Sequence, residues 1–462
     1  MTSQLKRVFQ LSFPMAGSRF LQMISGFIST MMVAHLGREV IASGALINAT
    51  LTAVLMSFIS IVFSLSFIVG QSYGAKKYDE VGELVQQGML LSFILGFLMM
   101  IFFWFADDIL RLFHQKENML IYVRQYFHAL MWGAIPILLQ SCLEQFCYGV
   151  LKQRLVVAIN LLSALIGAPI AYILIFGKFG LPALGLYGQG LTFAIQAWFA
   201  TTLLLISCYL IRDFEKFKLF KRRSLHKLSA LRKIFRIGWP MSVQFSAEFS
   251  ALFIVMMMIG WLGTDALAAV QITQQWMYLI IVPIYAMAEA AGILVGQAVG
   301  AGEFAHLNLI NRASLTLSLG LVILLDLGFV FFPHFFASFY LNPHDAHNLQ
   351  IMQLMEPLFA LMALSLLFNA IRDVISGSLR GLFDTQFPMR VSLLVMWGLV
   401  LPLGYLFAFT WHWDVIGLRL GGNIGMLVGA LVLYWRWRVM SDRVLVPYLD
   451  PFAREKNSEP KY

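Results

Sequence analysis

Glu248 is set in a mostly apolar stretch that continues Phe249-Ser250-Ala251-Leu252-Phe253-Ile254-Val255. A charged side chain inside a bilayer is costly, so each such group is a candidate for function. An acid at this place can be protonated from one side and deprotonated on the other, which is what a proton carrier requires. The alternative is a neutral acid that holds a bent helix near Pro240. Glu289 lies in the next apolar stretch, seven residues before Gly296, and could share a proton or cation with Glu248 or pair with Arg372. Arg372 and Asp373 are adjacent in a third stretch, and Glu144 takes the matching place in the first half of the chain. An acid mirrored by a base could form a bridge that closes a cleft, or a fixed structural bridge. Arg19 is a candidate partner for a carboxylate or an anionic substrate, or else a helix clamp. Asp326 is isolated and reads as structural, and His344-x-x-His347 reads as surface rather than metal site.

The elements that position these residues follow from composition. Of 462 residues, 60% are hydrophobic and 12% charged, with a mean hydropathy of +0.77, whereas a soluble domain carries roughly 25% charged residues. The apolar runs exceed the roughly 20 residues needed to cross a bilayer and do not alternate as barrel strands do, so an all-α integral membrane protein is expected. Twelve spans are predicted, at 8–35, 44–70, 84–106, 122–150, 155–177 and 184–211, then 234–261, 270–299, 309–333, 348–377, 386–411 and 415–440. This divides the chain into a six-helix bundle at 1–211, a basic linker at 212–233, a second six-helix bundle at 234–440 and a tail at 441–462. The opening residues 1–13 lack the short apolar core and cleavage site of a removable signal, so the first span is expected to act as its own signal.

The net charge of +9 does not point to nucleic acid, because the basic residues collect in alternate loops. Lys6, Arg7, Lys76, Lys77, Lys152, Arg154 and Arg380 fall on one side with the linker, while the opposite loops hold Arg38, Arg111, Lys116, Arg124, Lys178 and Arg419. By the positive-inside rule both termini and the linker are cytoplasmic. The linker's charge is expected to set orientation and touch lipid headgroups. Cys142, Cys147 and Cys208 fall in apolar spans and suit neither a disulfide framework nor a metal pattern. No G-x-x-x-x-G-K-[ST] loop occurs, so ATP is not the energy source within this chain.

The two halves are copies. Leu5–Lys76 returns at Leu231–Gly302 with a displacement of 226 positions: Phe13-Pro14-Met15 as Trp239-Pro240-Met241, and Val69-Gly70-Gln71 as Val295-Gly296-Gln297. Pro14 and Pro240 are matched sites of helix bending. With six spans each, the halves are expected to be related by a pseudo-two-fold axis along the membrane normal, with a cleft between them. Gly149-Val150-Leu151-Lys152 aligns with Gly377-Ser378-Leu379-Arg380, which sets Glu144 opposite Arg372 and Gln145 opposite Asp373. The many methionines and phenylalanines suit a soft cavity, although most face lipid or core.

Twelve spans, a basic central linker, Pro14, Val295-Gly296-Gln297-x-x-Gly300-Ala301-Gly302 and Gly377-Ser378-Leu379-Arg380-Gly381 together resemble the multidrug and toxic compound extrusion (MATE) family of ion-coupled antiporters. The resemblance implies a V of two six-helix bundles that exports cationic, amphipathic compounds in exchange for Na⁺ or H⁺. Glu248 matches the family's acid in the seventh span. The first-span aspartate of many bacterial members falls on Ser29 here, and the tenth-span acid falls on Asn369. The charge that remains favours coupling in the second half, at Glu248 with Asp373 or Glu289. H⁺ is the expected coupling ion because hard-cation sites prefer several oxygen ligands; Na⁺ at Glu248, Asn369 and Asp373 is the alternative. Arg19, Glu144, Arg372 and Ser29 are assigned to the substrate cleft. The resulting expectation is a monomeric, multi-pass inner-membrane antiporter for small organic molecules, with no cofactor and no enzymatic activity. Rival readings are a lipid-headgroup flippase, for which Arg19 and Arg372 would bind a pyrophosphate, and a channel, which would need a continuous polar stripe.

Overall fold

The computed structural model describes residues 1–34, 38–113, 115, 117–221, 228–341 and 346–449. Leu36-Gly37, His344 and residues 450–462 of the tail lie outside them. Among the described residues all regular structure is helical. Twelve long helices follow one another: α1 (Thr2–Ala34), α2 (Arg38–Gly74), α3 (Tyr78–Trp104), α4 (Glu117–Gly149), α5 (Gln153–Phe176) and α6 (Gly185–Leu210). The second six are α7 (Leu228–Trp261), α8 (Thr264–Ala301), α9 (Phe304–Phe331), α10 (Ala346–Gly381), α11 (Gln386–Thr410) and α12 (Asp414–Leu449). Eleven described helices are long and apolar enough to cross a membrane. The exception among the twelve, α1, has ample length at 33 residues but carries Gln10, Arg19 and Gln22 between its apolar positions.

Backbone satisfaction explains the all-helical outcome, since a chain in lipid must bond its own N–H and C=O groups. Prolines therefore sit inside continuous helices, at Pro14, Pro169, Pro240, Pro283 and Pro357. Helix ends use glycine where the backbone turns left-handed. Gly177 at φ +68° closes α5 by donating to Ile173 O, and Gly302 at φ +75° closes α8; only glycine adopts that conformation without steric cost.

The chain forms two compact units, Pro14–Ser242 and Met1–Phe13 with Val243–Tyr462. In the first, α4 packs on α2, α3 and α6, and α5 packs on α6. Its interior includes Phe103 stacked on Phe127 at 5.2 Å. Phe93, Phe97 and Leu98 of α3 are exposed, as suits a surface whose solvent is hydrocarbon. The basic linker is partly folded onto this unit. Lys216 Nζ lies 5.3, 5.0 and 5.1 Å from the rings of Tyr73, Tyr78 and Phe217, Lys218 pairs with Asp79 at 3.2 Å, and Gln86 Nε2 donates to Leu219 O at 2.6 Å. Lys152 pairs with Asp213, and its ammonium holds that exposed carboxyl below the usual carboxylate range. In the second unit α10 is central, packed on α8, α9 and α12, while α11 packs on α12. Phe329 of α9 stacks on Phe359 of α10 at 5.5 Å in an apolar core with Ile284, Met355 and Leu366.

Candidate functional site

Two glycines bring α10 against α8. A Cβ on Gly377 would lie 1.9 Å from Ala288 O, and one on Gly381 would lie 2.3 Å from Gly292 O. Only hydrogen fits at those crossings, so the helix is seated there and the turns before it are placed with it. Those turns carry Arg372 and Asp373. Gly429 of α12 lies alongside the arginine stem, its Cβ position 3.8 Å from Arg372 Cδ, an ordinary van der Waals separation. On the other side α11 is wound into π-type turns at Met396–Val400 and Leu406–Thr410, flanking Pro402. Proline supplies no N–H, and wide turns of this kind re-aim neighbouring side chains. Trp397 Nε1, in the first of them, donates to Ala247 O of α7 at 3.3 Å, next to Glu248.

Glu248, Arg372 and Asp373 meet in this frame, at 5%, 4% and 6% exposure. Arg372 Nη2 lies 3.4 Å from Glu248 Oε2 and 3.1 Å from Asp373 Oδ1, and Arg372 Nε donates to the same aspartate oxygen at 3.2 Å. Arg372 Nη1 reaches Met426 Sδ at 3.5 Å. Glu248 Oε1 accepts from Ser392 Oγ at 2.8 Å and from Gln244 Nε2 at 3.1 Å. Gln244 Oε1 in turn accepts from Arg380 Nη2 at 3.1 Å, and that guanidinium lies 5.5 Å over the Phe245 ring. Burying these charges costs several kcal/mol per ion, which attraction at about 3 Å and the neutral donors offset. The chemistry available is proton or cation exchange between two carboxylates and one permanent cation.

The first unit holds a counterpart. Glu144 Oε1 accepts from Gln140 Nε2 at 2.9 Å, Asn160 Nδ2 at 2.9 Å and Gln22 Nε2 at 3.4 Å. Asn160 Nδ2 also reaches Ser18 Oγ at 2.6 Å. By the 226-residue displacement, Gln22 matches Glu248 and Ser18 matches Gln244. The contact between Gln22 and Glu144 is thus repeated as the contact between Glu248 and Arg372, with the acid moved from one helix of the pair to the other.

The remaining sequence-assigned residues are placed as follows. Asn369 is buried one turn before Arg372 on α10, and Glu289 is buried on α8 beside the Gly377 crossing. Ser29 is buried in α1, its Oγ without a hydrogen-bond partner. Arg19 of α1 lies 5.9 Å over the Phe63 ring. Pro14 and Pro240 sit inside continuous helices. Asp326 is buried in α9 with both carboxyl oxygens unpartnered. Among the described residues no cluster of three or more His, Cys, Asp or Glu side chains is arranged to hold a metal ion.

Sequence reasoning missed Gln244, Ser392, Gln140, Asn160 and Gln22. A signal for two of them was present: Gln140 precedes Glu144 by four residues, and Gln244 precedes Glu248 by four. Side chains at that spacing meet on one helix face.

A family model described as MatE matches residues 14–173 and again 240–406. A probable multidrug resistance protein NorM from Synechocystis sp. is 25% identical over 445 residues, covering 96% of each chain. The solved structure of a MATE transporter in the bent conformation superposes with a TM-score of 0.87 at 16% identity, over 97% of each chain. A eukaryotic MATE transporter, AtDTX14, gives 0.83 at 19% identity, over 96% of this chain and 98% of its own.

Proposed function

The chain belongs to the MatE family, and from that premise we propose that it is a secondary active multidrug efflux antiporter. It exports amphipathic organic compounds, cationic ones foremost, in exchange for H⁺ moving inward. The observation that carries this reading is the buried set of Glu248, Arg372 and Asp373. Two acids share one directly paired arginine, with Arg380 reaching Glu248 only through Gln244, so one carboxylate charge lacks an ion pair of its own and a proton or an organic cation can neutralise it by turns. The site is loaded from one side of the membrane and emptied on the other, so the two cargoes exchange. The name of the Synechocystis relative supports the substrate class. The chain works as a monomer in the inner membrane, with both termini cytoplasmic. Residues 1–211 and 234–440 act as the two bundles, joined through the basic linker at 212–233.

The test is ethidium efflux from proteoliposomes under a proton gradient alone and a Na⁺ gradient alone. A proton gradient is expected to drive the wild type, and Glu248→Gln to abolish that response. Efflux driven by Na⁺ alone would overturn the choice of ion, bringing Asn369 into a cation site with Glu248 and Asp373. Efflux driven by neither would overturn antiport.

A further inference from the structure

The four carboxylate oxygens of the site are unequally occupied. Glu248 Oε1 accepts from two donors, Ser392 and Gln244. Glu248 Oε2 faces Arg372 Nη2, and Asp373 Oδ1 accepts from both Nη2 and Nε of the same guanidinium. Asp373 Oδ2 is buried and has no hydrogen-bond partner. We infer that Arg372 is the fixed cation of this site, which keeps Na⁺ out and reserves coupling for a proton taken at Asp373 Oδ2.

The inference rests on the antiport reading and specifies its ion and its atom. A hard cation needs several oxygens at once, and here one oxygen of four is open. It would also sit beside a guanidinium that stays charged at every working pH. A proton needs one lone pair and tolerates that neighbour. The step is simple: an O–H bond forms at Asp373 Oδ2 with a proton from the aqueous phase on one side and breaks to release it on the other. A protonated Asp373 holds the guanidinium less strongly, so Arg372 shifts its pairing toward Glu248. The other charged or titratable groups facing this acid are Glu248 of α7, Tyr285 of α8 and, on α10 itself, Arg372 and Arg380, with Glu289 further along α8. From α11 and α12 come the neutral Ser392 and Met426.

Two readouts on the full chain in liposomes test this. In pH-difference infrared spectra, the band of a protonated carboxyl group is expected to persist in Glu248→Gln and to lose amplitude in Asp373→Asn. Loss in Glu248→Gln with persistence in Asp373→Asn would assign the proton to Glu248 and overturn the inference. In thermal unfolding at matched ionic strength, NaCl in place of choline chloride is expected to leave the wild-type Tm unchanged and to raise that of Arg372→Gln. A sodium-dependent rise in the wild type would overturn the exclusion, and that measurement needs no variant to fold. Ethidium efflux indifferent to both gradients would remove the antiport reading while leaving these readouts interpretable.

Discussion

Gln244 joins two charges that do not touch, giving its amide N–H to Glu248 and its carbonyl to Arg380. Leucine there fills similar space and strands both partners. Gln244→Leu is expected to destabilise by about 1–3 kcal/mol, the cost of unsatisfied buried polar groups, read as a lower Tm in detergent. Ser392→Ala removes the other donor to the same Glu248 oxygen and is expected to cost about 1.5–3 kcal/mol, as for bonds to charged groups. Because both act on one atom, the double variant should differ from the sum by about 0.5 kcal/mol or more in a double-mutant cycle. Glu248 was legible in the sequence because a carboxylate among apolar residues is conspicuous. Its pairing with Arg372 was not, since the partners lie 124 positions apart and only helix rotation decides which face meets which. In the sequence alone Arg372 reads as a partner of Glu289 or as the mirror of Glu144. Asp373 carried a second ambiguity, as adjacent helical residues point about 100° apart, yet the long arginine bends back onto it.

Helices α8 and α10 cross on glycine, and that crossing carries a prediction at its own scale. Gly377→Val must displace the Ala288 carbonyl and is expected to destabilise by about 1–3 kcal/mol or more, as overpacking does, visible as poor yield of monodisperse protein. Gly320→Ala meets nothing within 4 Å and is expected to be neutral or to stabilise by up to about 1 kcal/mol through helix propensity. Equal losses from both would mean that the crossing is not what seats α10. The helices themselves were readable from the length of their apolar runs, and their described bounds extend most expected spans by several residues. The π-type turns of α11 were not, because Pro402 announces a disturbance without saying whether the helix bends, breaks or widens. The linker held a similar surprise. Its lysines read as free lipid contacts, yet Lys216 lies over three aromatic rings, an arrangement composition does not encode.

For the molecule as a whole, the exposed apolar side chains on α3 and α9, among them Phe97, Ile101, Leu324 and Phe331, require a hydrocarbon surround. The bias of Lys and Arg toward alternate loops predicts which way the chain lies in it. Green fluorescent protein fused after Tyr462 is expected to fluoresce, and alkaline phosphatase at the same place to be inactive; the reverse pattern would invert the topology. Architecture on this scale was the most legible, because the bilayer imposes the same demand on every span.

An arginine held between two acids also changes what voltage can do. With both carboxylates ionised, Glu248, Asp373 and Arg372 together carry one negative charge, and one bound proton brings them to zero. A bare acid pair would pass between two negative charges and one. Each elementary charge moved through 100 mV is worth about 2.3 kcal/mol, so under the proposed proton coupling the tethered guanidinium would spare either form of the site one charge of electrical work wherever the site is displaced through the field.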